Sequence, residues 1–320
     1  MIDDANADGS VLSALPHSAL YFGETRNHWW NGDHLALIAQ RLRLSEVRSL
    51  LDVGCGVGHW GRLLLPLCHP AASLVGVDRE DRSLEVASAQ SPEPERYSYR
   101  QGDLRALPFV DGAFALVTCQ TVLIHVADVR AALTEMERTL APGGWLLLAE
   151  PNNLAGRAAS LLGDSSVPVD AALEILRLQA CCERGKAALG LGNNSIGETV
   201  VAHLERDHFD QLHTWQCDRP LPMIPPYRDP SARAALEEAQ QFTDRDIWIW
   251  PKEETRRYFL AGAQASPGSA SFEGDLSRRF EQAWQTAMAM DRQYLARLAR
   301  QEVIEAGGQC LYLVAARKRR

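Results

Sequence analysis

The sequence predicts an α/β protein whose core is a doubly wound, mostly parallel Rossmann-like sheet carrying helical cap insertions. Between residues 47 and 153, short apolar runs alternate with helical segments, which is typical of a parallel sheet covered on both faces. The first run ends in a glycine cluster, and acidic residues stand at or near the ends of the first three runs. Ligands bind where the strands of such sheets end, so these residues mark a binding edge.

The elements follow from local patterns, taken in chain order. Five strands are predicted in this part of the chain, at 47–53, 73–77, 97–101, 113–119 and 145–149. Helices are predicted between them, at 59–68, 84–90 and 127–140. Beyond residue 153, helical patterns cover 156–190, 231–260 and 272–306, and alternating patterns predict two further strands at 209–217 and 310–316.

Composition excludes several classes of protein. The 320 residues are 46% apolar and 23% charged, as in an ordinary globular protein, and no apolar stretch approaches the ~20 residues of a membrane span. The acidic N-terminus lacks the features of a signal peptide, which predicts a cytoplasmic protein. A net charge of −8 argues against nucleic acid or an anionic membrane as the main partner. The seven scattered cysteines have neither disulfide-framework nor zinc-site spacing, so no metal is expected.

The glycine cluster after the first strand predicts a nucleotide-binding loop. Glycines let backbone amides approach a ligand, and the following helix N-terminus favours anionic groups. Gly56-x-Gly58-x-x-Gly61 also satisfies the dinucleotide fingerprint, so the loop alone leaves an NAD enzyme open. Asp52, two residues before Gly54, favours S-adenosylmethionine, because a carboxylate there can orient the loop and meet an ammonium group that NAD lacks.

Two further carboxylates fit the same ligand. Asp78 ends the second strand, where a carboxylate can accept both ribose hydroxyls. Asp103 follows the third, where it can take the exocyclic amine of adenine. Each acid alone could be a helix cap or a solvated loop residue, but the ends of three successive strands form one ligand edge.

Taken together, these motifs resemble the class I S-adenosylmethionine-dependent methyltransferases of small-molecule type. The resemblance covers about 47–153 and returns at 209–217 and 310–316. It is carried by Leu51-Asp52-Val53-Gly54-Cys55-Gly56-Val57-Gly58, Val75-Gly76-Val77-Asp78, Gln101-Gly102-Asp103, Val117-Thr118-Cys119-Gln120 and Leu140-Ala141-Pro142-Gly143-Gly144. It implies a seven-stranded sheet whose last strand runs antiparallel beside the sixth.

The resemblance also implies a cofactor, S-adenosyl-L-methionine, with S-adenosyl-L-homocysteine as product. The glycine loop would hold its methionine part, Asp78 the ribose, and Asp103 and Leu104 the adenine. The residues assigned to cofactor binding are Asp52, Gly54, Cys55, Gly56, Gly58, Asp78, Arg79, Gly102, Asp103, Leu104 and Gln120. Ala115 departs from the family, which commonly has Asp there. The Asn/Asp-Pro-Pro-Tyr/Phe motif of enzymes that methylate base amines is absent from the sequence.

Methyl transfer from a sulfonium is an in-line displacement that depends mainly on alignment, and it needs a base only when the acceptor is protonated. His125, just after the fourth strand, is the first candidate for this base, with a helix-capping or carbonyl-bonded histidine as the alternative. His28 and Glu24, in an aromatic N-terminal segment, are the second candidates.

Acceptor-binding residues are predicted in three places. Tyr21, Trp29 and Trp30 are expected to form a lid over the site, unless they simply pack beneath the N-terminal helix. Glu150, Asn152 and Asn153 end the fifth strand, where they can bond a polar acceptor or, for one asparagine, cap a helix. The helical insertions are expected to roof the pocket. Four of their aromatics either line it or form helix-packing core: Trp248, Trp250, Tyr258 and Phe259.

These predictions divide the chain into six parts. They are an N-terminal lid and helix (1–46), the cofactor-binding core (47–153), a helical insertion (154–196), a core helix and strand (197–218), a helical cap insertion (219–308), and the last strand with a basic tail (309–320). The predicted activity is methyl transfer to an O, N or C nucleophile of a small or medium organic acceptor, such as an aromatic or specialised metabolite, with a peptide end as the alternative acceptor. An NAD-dependent oxidoreductase and a non-catalytic cofactor-binding regulator are the alternative functions.

Overall fold

A computed structural model describes residues 24–218, 220–266, 274–308 and 310–320, without the side chains of Glu24 and Asn27. The predicted lid residue Tyr21 lies outside the described residues. None of the described helices combines the length and the apolar character that crossing a membrane requires.

Seven strands form one sheet. They are β1 (Ser49–Val53), β2 (Ser73–Asp78), β3 (Tyr97–Gln101), β4 (Phe114–Gln120), β5 (Leu140–Pro151), β6 (Phe209–Gln216) and β7 (Leu311–Lys318). Their order is β3-β2-β1-β4-β5-β7-β6, and β7 runs antiparallel to both β5 and β6. The other pairs are parallel. The predicted fold, with its last strand antiparallel and beside the sixth, is confirmed.

Helices cover both faces of the sheet and extend beyond it. They are α1 (Gly32–Leu42), α2 (His59–Leu64), α3 (Asp81–Ala89), α4 (Val129–Thr139), α5 (Asn153–Gly163), α6 (Val169–Ala188), α7 (Pro230–Asp244), α8 (Lys252–Ala265) and α9 (Leu276–Ala299). Neighbouring residues of β5 point to opposite faces, as the period of a strand requires. Leu147 therefore packs with α1 and α2, whereas Leu148 packs with α4.

The insertions form a helical cap with a core of its own. Helices α6 and α8 cross with almost no space between them, because a Cβ on Gly262 would lie 1.9 Å from the carbonyl oxygen of Cys181. A Cβ on Gly185 would lie 1.8 Å from the carbonyl oxygen of Tyr258. The four cap aromatics singled out in the sequence are buried in this core: Trp248, Trp250, Tyr258 and Phe259.

Two predicted helical regions differ from the structure. The expected core helix after residue 197 is replaced by two 3-10 turns, Val200–His203 and Arg206–His208. The chain is held against the end of β5 there, since the Gly197 amide donates to the Pro151 carbonyl at 2.9 Å. The stretch 231–260 is likewise two helices, because Pro251 immediately precedes α8 and disfavours a continuous helix.

Candidate active site

The glycine loop has the backbone conformation that its sequence predicts. Gly54, Gly56 and Gly58 have φ angles of 65°, 51° and 81°, a region that other residues rarely adopt. A Cβ on Gly54 would lie 2.6 Å from a methyl group of Val122, so the loop packs directly on the turn after β4. A Cβ on Gly56 would meet nothing within 4 Å, which leaves the backbone open to a ligand on that side.

Asp78 lies beside this loop at the end of β2. Its Oδ2 accepts a hydrogen bond from the Gly56 amide at 2.9 Å, and its Oδ1 accepts one from the Glu80 amide at 3.0 Å. Each carboxylate oxygen can accept two hydrogen bonds, so one position on each oxygen is left for a hydroxyl donor. The next residue, Arg79, is exposed and pairs with Glu80.

Asp52 lies beneath the loop. It is only 1% exposed, and its Oδ2 accepts from the Gly61 amide at 3.0 Å, which ties the start of α2 to β1. Among the residues described, Oδ1 has no hydrogen-bond partner. Burial raises the pKa of this carboxyl to about 7. The structure therefore gives Asp52 the predicted loop-orienting contact, while its burial closes it to a ligand's ammonium group.

The end of β3 places Asp103 at the same edge. The amide of Gly102 donates to the carbonyl of Asp78 at 3.0 Å, which joins the β2 and β3 ends. Hydrogen bonds from the Arg105 side chain and amide lower the pKa of the Asp103 carboxyl to about 2. Asp103 is therefore half-exposed and ionised, and both of its carboxylate oxygens accept hydrogen bonds from Arg105.

The remaining predicted cofactor residues surround these groups. Leu104 is half-buried against the core on the α4 face, and Gln120 is half-buried at the end of β4. Cys55 is buried within the loop, and burial raises the pKa of its thiol.

The turn after β4, Leu123–His125, is fixed by buried ionisable groups. Glu150 is fully buried, and its Oε1 accepts from the amides of Val122 and Leu123 at 3.0 and 2.9 Å. Burial raises the pKa of Glu150 to about 7. Glu150 thus supports the turn from within the protein, instead of facing an acceptor as predicted. The His125 side chain is exposed on the supported turn.

A lysine that sequence analysis did not single out holds the same turn from the cap. Lys186 of α6 is 3% exposed, and its ammonium donates to the Ile124 carbonyl at 2.7 Å and to Asn194 Oδ1 at 3.1 Å. Burial lowers the pKa of Lys186 to about 8. The loop after α6 packs closely against the same turn, since a Cβ on Gly192 would lie 2.4 Å from the carbonyl oxygen of Ile124.

The asparagines at the end of β5 have structural partners. Asn152 caps α5 by accepting from the Ala155 amide at 2.9 Å, which is the alternative interpretation given above. The Asn153 side chain donates to the Asn194 carbonyl at 2.6 Å and so ties α5 to the loop after α6.

The two described tryptophans of the aromatic N-terminal segment pack as the alternative interpretation states. Trp29 and Trp30 are 4% and 6% exposed in the core beneath α1, and the Trp30 ring centroid lies 5.0 Å from that of Trp60. Glu24 and His28 are the first and last residues of a 3-10 turn, and His28 is half-buried.

This 3-10 turn is attached to the cap. Glu238 of α7 accepts a hydrogen bond from Thr25 and lies near the Arg26 guanidinium, and burial raises the pKa of Glu238 to about 7. Within the described ranges, no group of three or more His, Cys, Asp or Glu side chains is arranged to hold a metal ion.

Comparisons with known proteins agree with this geometry for the central part of the chain. Residues 51–148 match a family model described as a methyltransferase domain. A demethylmenaquinone methyltransferase of Staphylococcus aureus is 37% identical over 100 residues, which are 31% of this chain and 42% of that protein. The Bacillus subtilis protein YcgJ, described as an uncharacterized methyltransferase, is 33% identical over 121 residues, 37% of this chain and 47% of that one.

The match to these proteins is partial. The chain spans less than half the length of the curated relatives it matches. The crystal structure of YcgJ aligns with 91% of this chain and 100% of its own, at a TM-score of 0.45 and 18% identity. The match agrees with the family resemblance predicted from the sequence for this segment: residues 51–148 match a methyltransferase domain.

Proposed function

We propose that this chain transfers a methyl group from S-adenosylmethionine to a small or medium organic acceptor. The observation that carries the proposal is that the backbone of Gly56 is open on one side and lies next to the carboxylate of Asp78. A ligand that approaches the loop backbone meets a carboxylate with two unused acceptor positions, which fits a ribose with two neighbouring hydroxyls. Asp103 would take the adenine amine, and the loop amides would take the methionine part.

The chain's own contribution to the reaction would be alignment. When bound, the cofactor supplies a methyl group on a positively charged sulfur that leaves readily. Gly54, Gly56 and Gly58 allow the loop to adopt its positive-φ conformation, and the close packing of Gly54 on Val122 sets the distance of the loop from the chain after β4. Holding the two reacting atoms in line at close approach accounts for most of the rate gain in such a displacement.

A base is required when the acceptor nucleophile is protonated, and we propose His125 for this role. Its side chain is exposed on a turn whose backbone is fixed by Glu150 and Lys186, so the point from which the imidazole extends is well defined. It would accept the proton that the O, N or C nucleophile loses as the new bond to carbon forms. His28 and Glu24 remain the second candidates.

A small organic acceptor is favoured by two observations. The net charge of −8 disfavours nucleic acids, and the Staphylococcus aureus relative is named for a small molecule, demethylmenaquinone. An aromatic or specialised metabolite is the acceptor class we would screen first, with peptide ends as the second class.

Calorimetric titration with S-adenosylmethionine, S-adenosylhomocysteine and NADH tests the cofactor, after mass spectrometry for co-purified nucleotide. We expect micromolar binding of the two sulfur nucleotides and none of NADH. NADH binding alone would favour the oxidoreductase hypothesis, and no binding at all would favour a regulator. An acceptor screen with a labelled methyl group would follow.

The Asp78→Asn variant tests the placement of the ribose. It keeps the shape of the side chain but replaces one acceptor oxygen by an NH₂ group, so we expect S-adenosylhomocysteine to bind at least about tenfold more weakly. Asp81→Asn, an exposed acid three residues further on, is the matched control and should bind normally. Equal affinities of the two variants would show that the site is misplaced.

A further inference from the structure

A cavity of about 230 Å³ lies in the helical cap between α5, α6 and α9. None of the residues that line it belongs to the glycine loop, to the acids at the strand ends or to the turn after β4. Its apolar wall includes Leu161, Ile175 and Met290. The volume equals that of roughly eight water molecules at ~30 Å³ each, which suits a small molecule with a short apolar side chain.

Three polar groups that line this cavity have no hydrogen-bond or ion-pair partner among the described residues. The indole N–H of Trp248 is buried, and it has no acceptor among the described residues. The guanidinium of Arg157 lies over the same indole ring, 5.5 Å from its centroid. Burial raises the pKa of the Asp291 carboxyl, while the positive charge of Arg157 lowers it, and no ion pair joins the two side chains within the described part of the chain.

The other charged groups around the cavity are already paired. Arg297 donates to Asp164 at 2.7 Å, and the Tyr294 hydroxyl donates to Glu305 at 2.5 Å. The groups without a partner are therefore the guanidinium of Arg157, the carboxyl of Asp291 and the indole N–H of Trp248, which all line the same cavity. Trp248 is buried, and Arg157 and Asp291 are half-buried. Polar and charged groups removed from water are costly when unpaired, so this cavity favours a ligand that supplies the complementary groups.

We propose that this cavity binds a small aliphatic α-amino acid as a zwitterion. Its carboxylate would pair with the Arg157 guanidinium and accept from the Trp248 indole N–H. Its ammonium group would pair with the Asp291 carboxylate, and its side chain would contact Leu161, Ile175 and Met290. A zwitterion satisfies all three groups at once without bringing net charge into the cap. The proposal does not depend on the methyltransferase activity.

The direct test is calorimetric titration of the full chain with L-valine, L-leucine and L-methionine at millimolar concentrations. We expect saturable binding of at least one of them. For the tightest binder we expect at least about tenfold weaker binding of its decarboxylated amine and of its deaminated acid, because each lacks one charged contact. No binding of the three amino acids, or equal binding of either single-charge analogue, would overturn the proposal.

Variants separate the cavity from the cofactor site. Asp291→Asn, Arg157→Gln and Trp248→Phe each remove one polar contact with little change of shape, so each should weaken amino-acid binding at least about tenfold. Arg292→Gln is the control and should bind normally, because Arg292 is exposed, pairs with Asp246 and does not line the cavity. Unchanged binding in all three cavity variants would overturn the proposal.

S-adenosylhomocysteine affinity and the unfolding temperature are measured on the same samples. Both should stay near those of the unmodified protein, which shows that the variants are folded. Failure of cofactor binding in the unmodified protein would contradict the proposed function, whereas failure of amino-acid binding alone would contradict only this inference.

Discussion

Replacing Glu150 by glutamine tests whether the carboxyl group behind the turn after β4 keeps its proton in the folded protein. Burial raises its pKa from the ordinary 4.5 to about 7. Below pH 4.5 the carboxyl is protonated in both the folded and the unfolded chain. As the pH rises from 4.5 towards 7, the unfolded chain loses the proton first, so the free energy of unfolding falls over this window.

The size of the effect follows from the shift. About 2.5 pH units at ~1.36 kcal/mol each give a loss of roughly 3 kcal/mol between pH 4.5 and pH 7, with no further change above. Glutamine at position 150 keeps an oxygen for the amides of Val122 and Leu123 but does not titrate. The difference in unfolding free energy between the unmodified protein and Glu150→Gln should therefore shift by roughly 3 kcal/mol in favour of the variant.

Urea unfolding followed by far-ultraviolet circular dichroism, at several pH values from about 4 to about 8, measures this difference. Contributions from other titrating groups, such as the buried Asp52, are common to both proteins and cancel. Glu85→Gln, at an exposed position on α3, is the control and should show a nearly constant difference. A constant difference for Glu150→Gln as well would refute the argument, because the carboxylate would then be ionised in the fold.

Two further predictions concern the cap and the turn. In Gly262→Ala, α6 and α8 must move apart at Cys181, so the free energy of unfolding should fall by about 3 kcal/mol. Gly163→Ala is the control, because its Cβ meets nothing within 4 Å, and its free energy of unfolding should stay within about 1 kcal/mol of that of the unmodified protein. Equal urea midpoints for the two would contradict the close helix crossing. The His125→Ala variant tests the proposed base, with kcat measured from labelled cofactor and an acceptor from the screen. We expect kcat to fall about 10²–10⁴-fold while the affinity for S-adenosylhomocysteine is unchanged. An unchanged kcat would show that His125 is not the base.

The sheet could be predicted because its strands are buried on both faces and therefore appear as short apolar runs. The positions of Asp78 and Asp103 followed from the strand ends, since parallel strands end at one edge. The order of β6 and β7 came from the family resemblance, because no local pattern states which strands pair. The missing helix after residue 197 was not predictable, since it depends on the contact of Gly197 with the end of β5.

Side-chain roles were harder to predict where one residue type suits two environments. From the sequence, Trp29 and Trp30 could equally cover a ligand or pack beneath a helix. In the structure they pack in one core with α1 and Trp60, which the sequence does not place beside them. A glutamate at a strand end can face an acceptor, as predicted, or turn inward as Glu150 does. The sequence holds no local sign of this, because the amides that Glu150 accepts from lie 28 and 27 residues earlier.

Lys186 shows how the cap and the core depend on one another. Its helix α6 is fixed on one side by the close crossing with α8, where Gly185 contacts the Tyr258 carbonyl. The neighbouring Lys186 ammonium donates to the Ile124 carbonyl, 62 residues away in sequence. A displacement of α8 must therefore move α6, and with it a hydrogen bond to the turn that carries His125. The insertion is part of the support of the candidate active site, and a core without it would leave the Ile124 carbonyl without this donor.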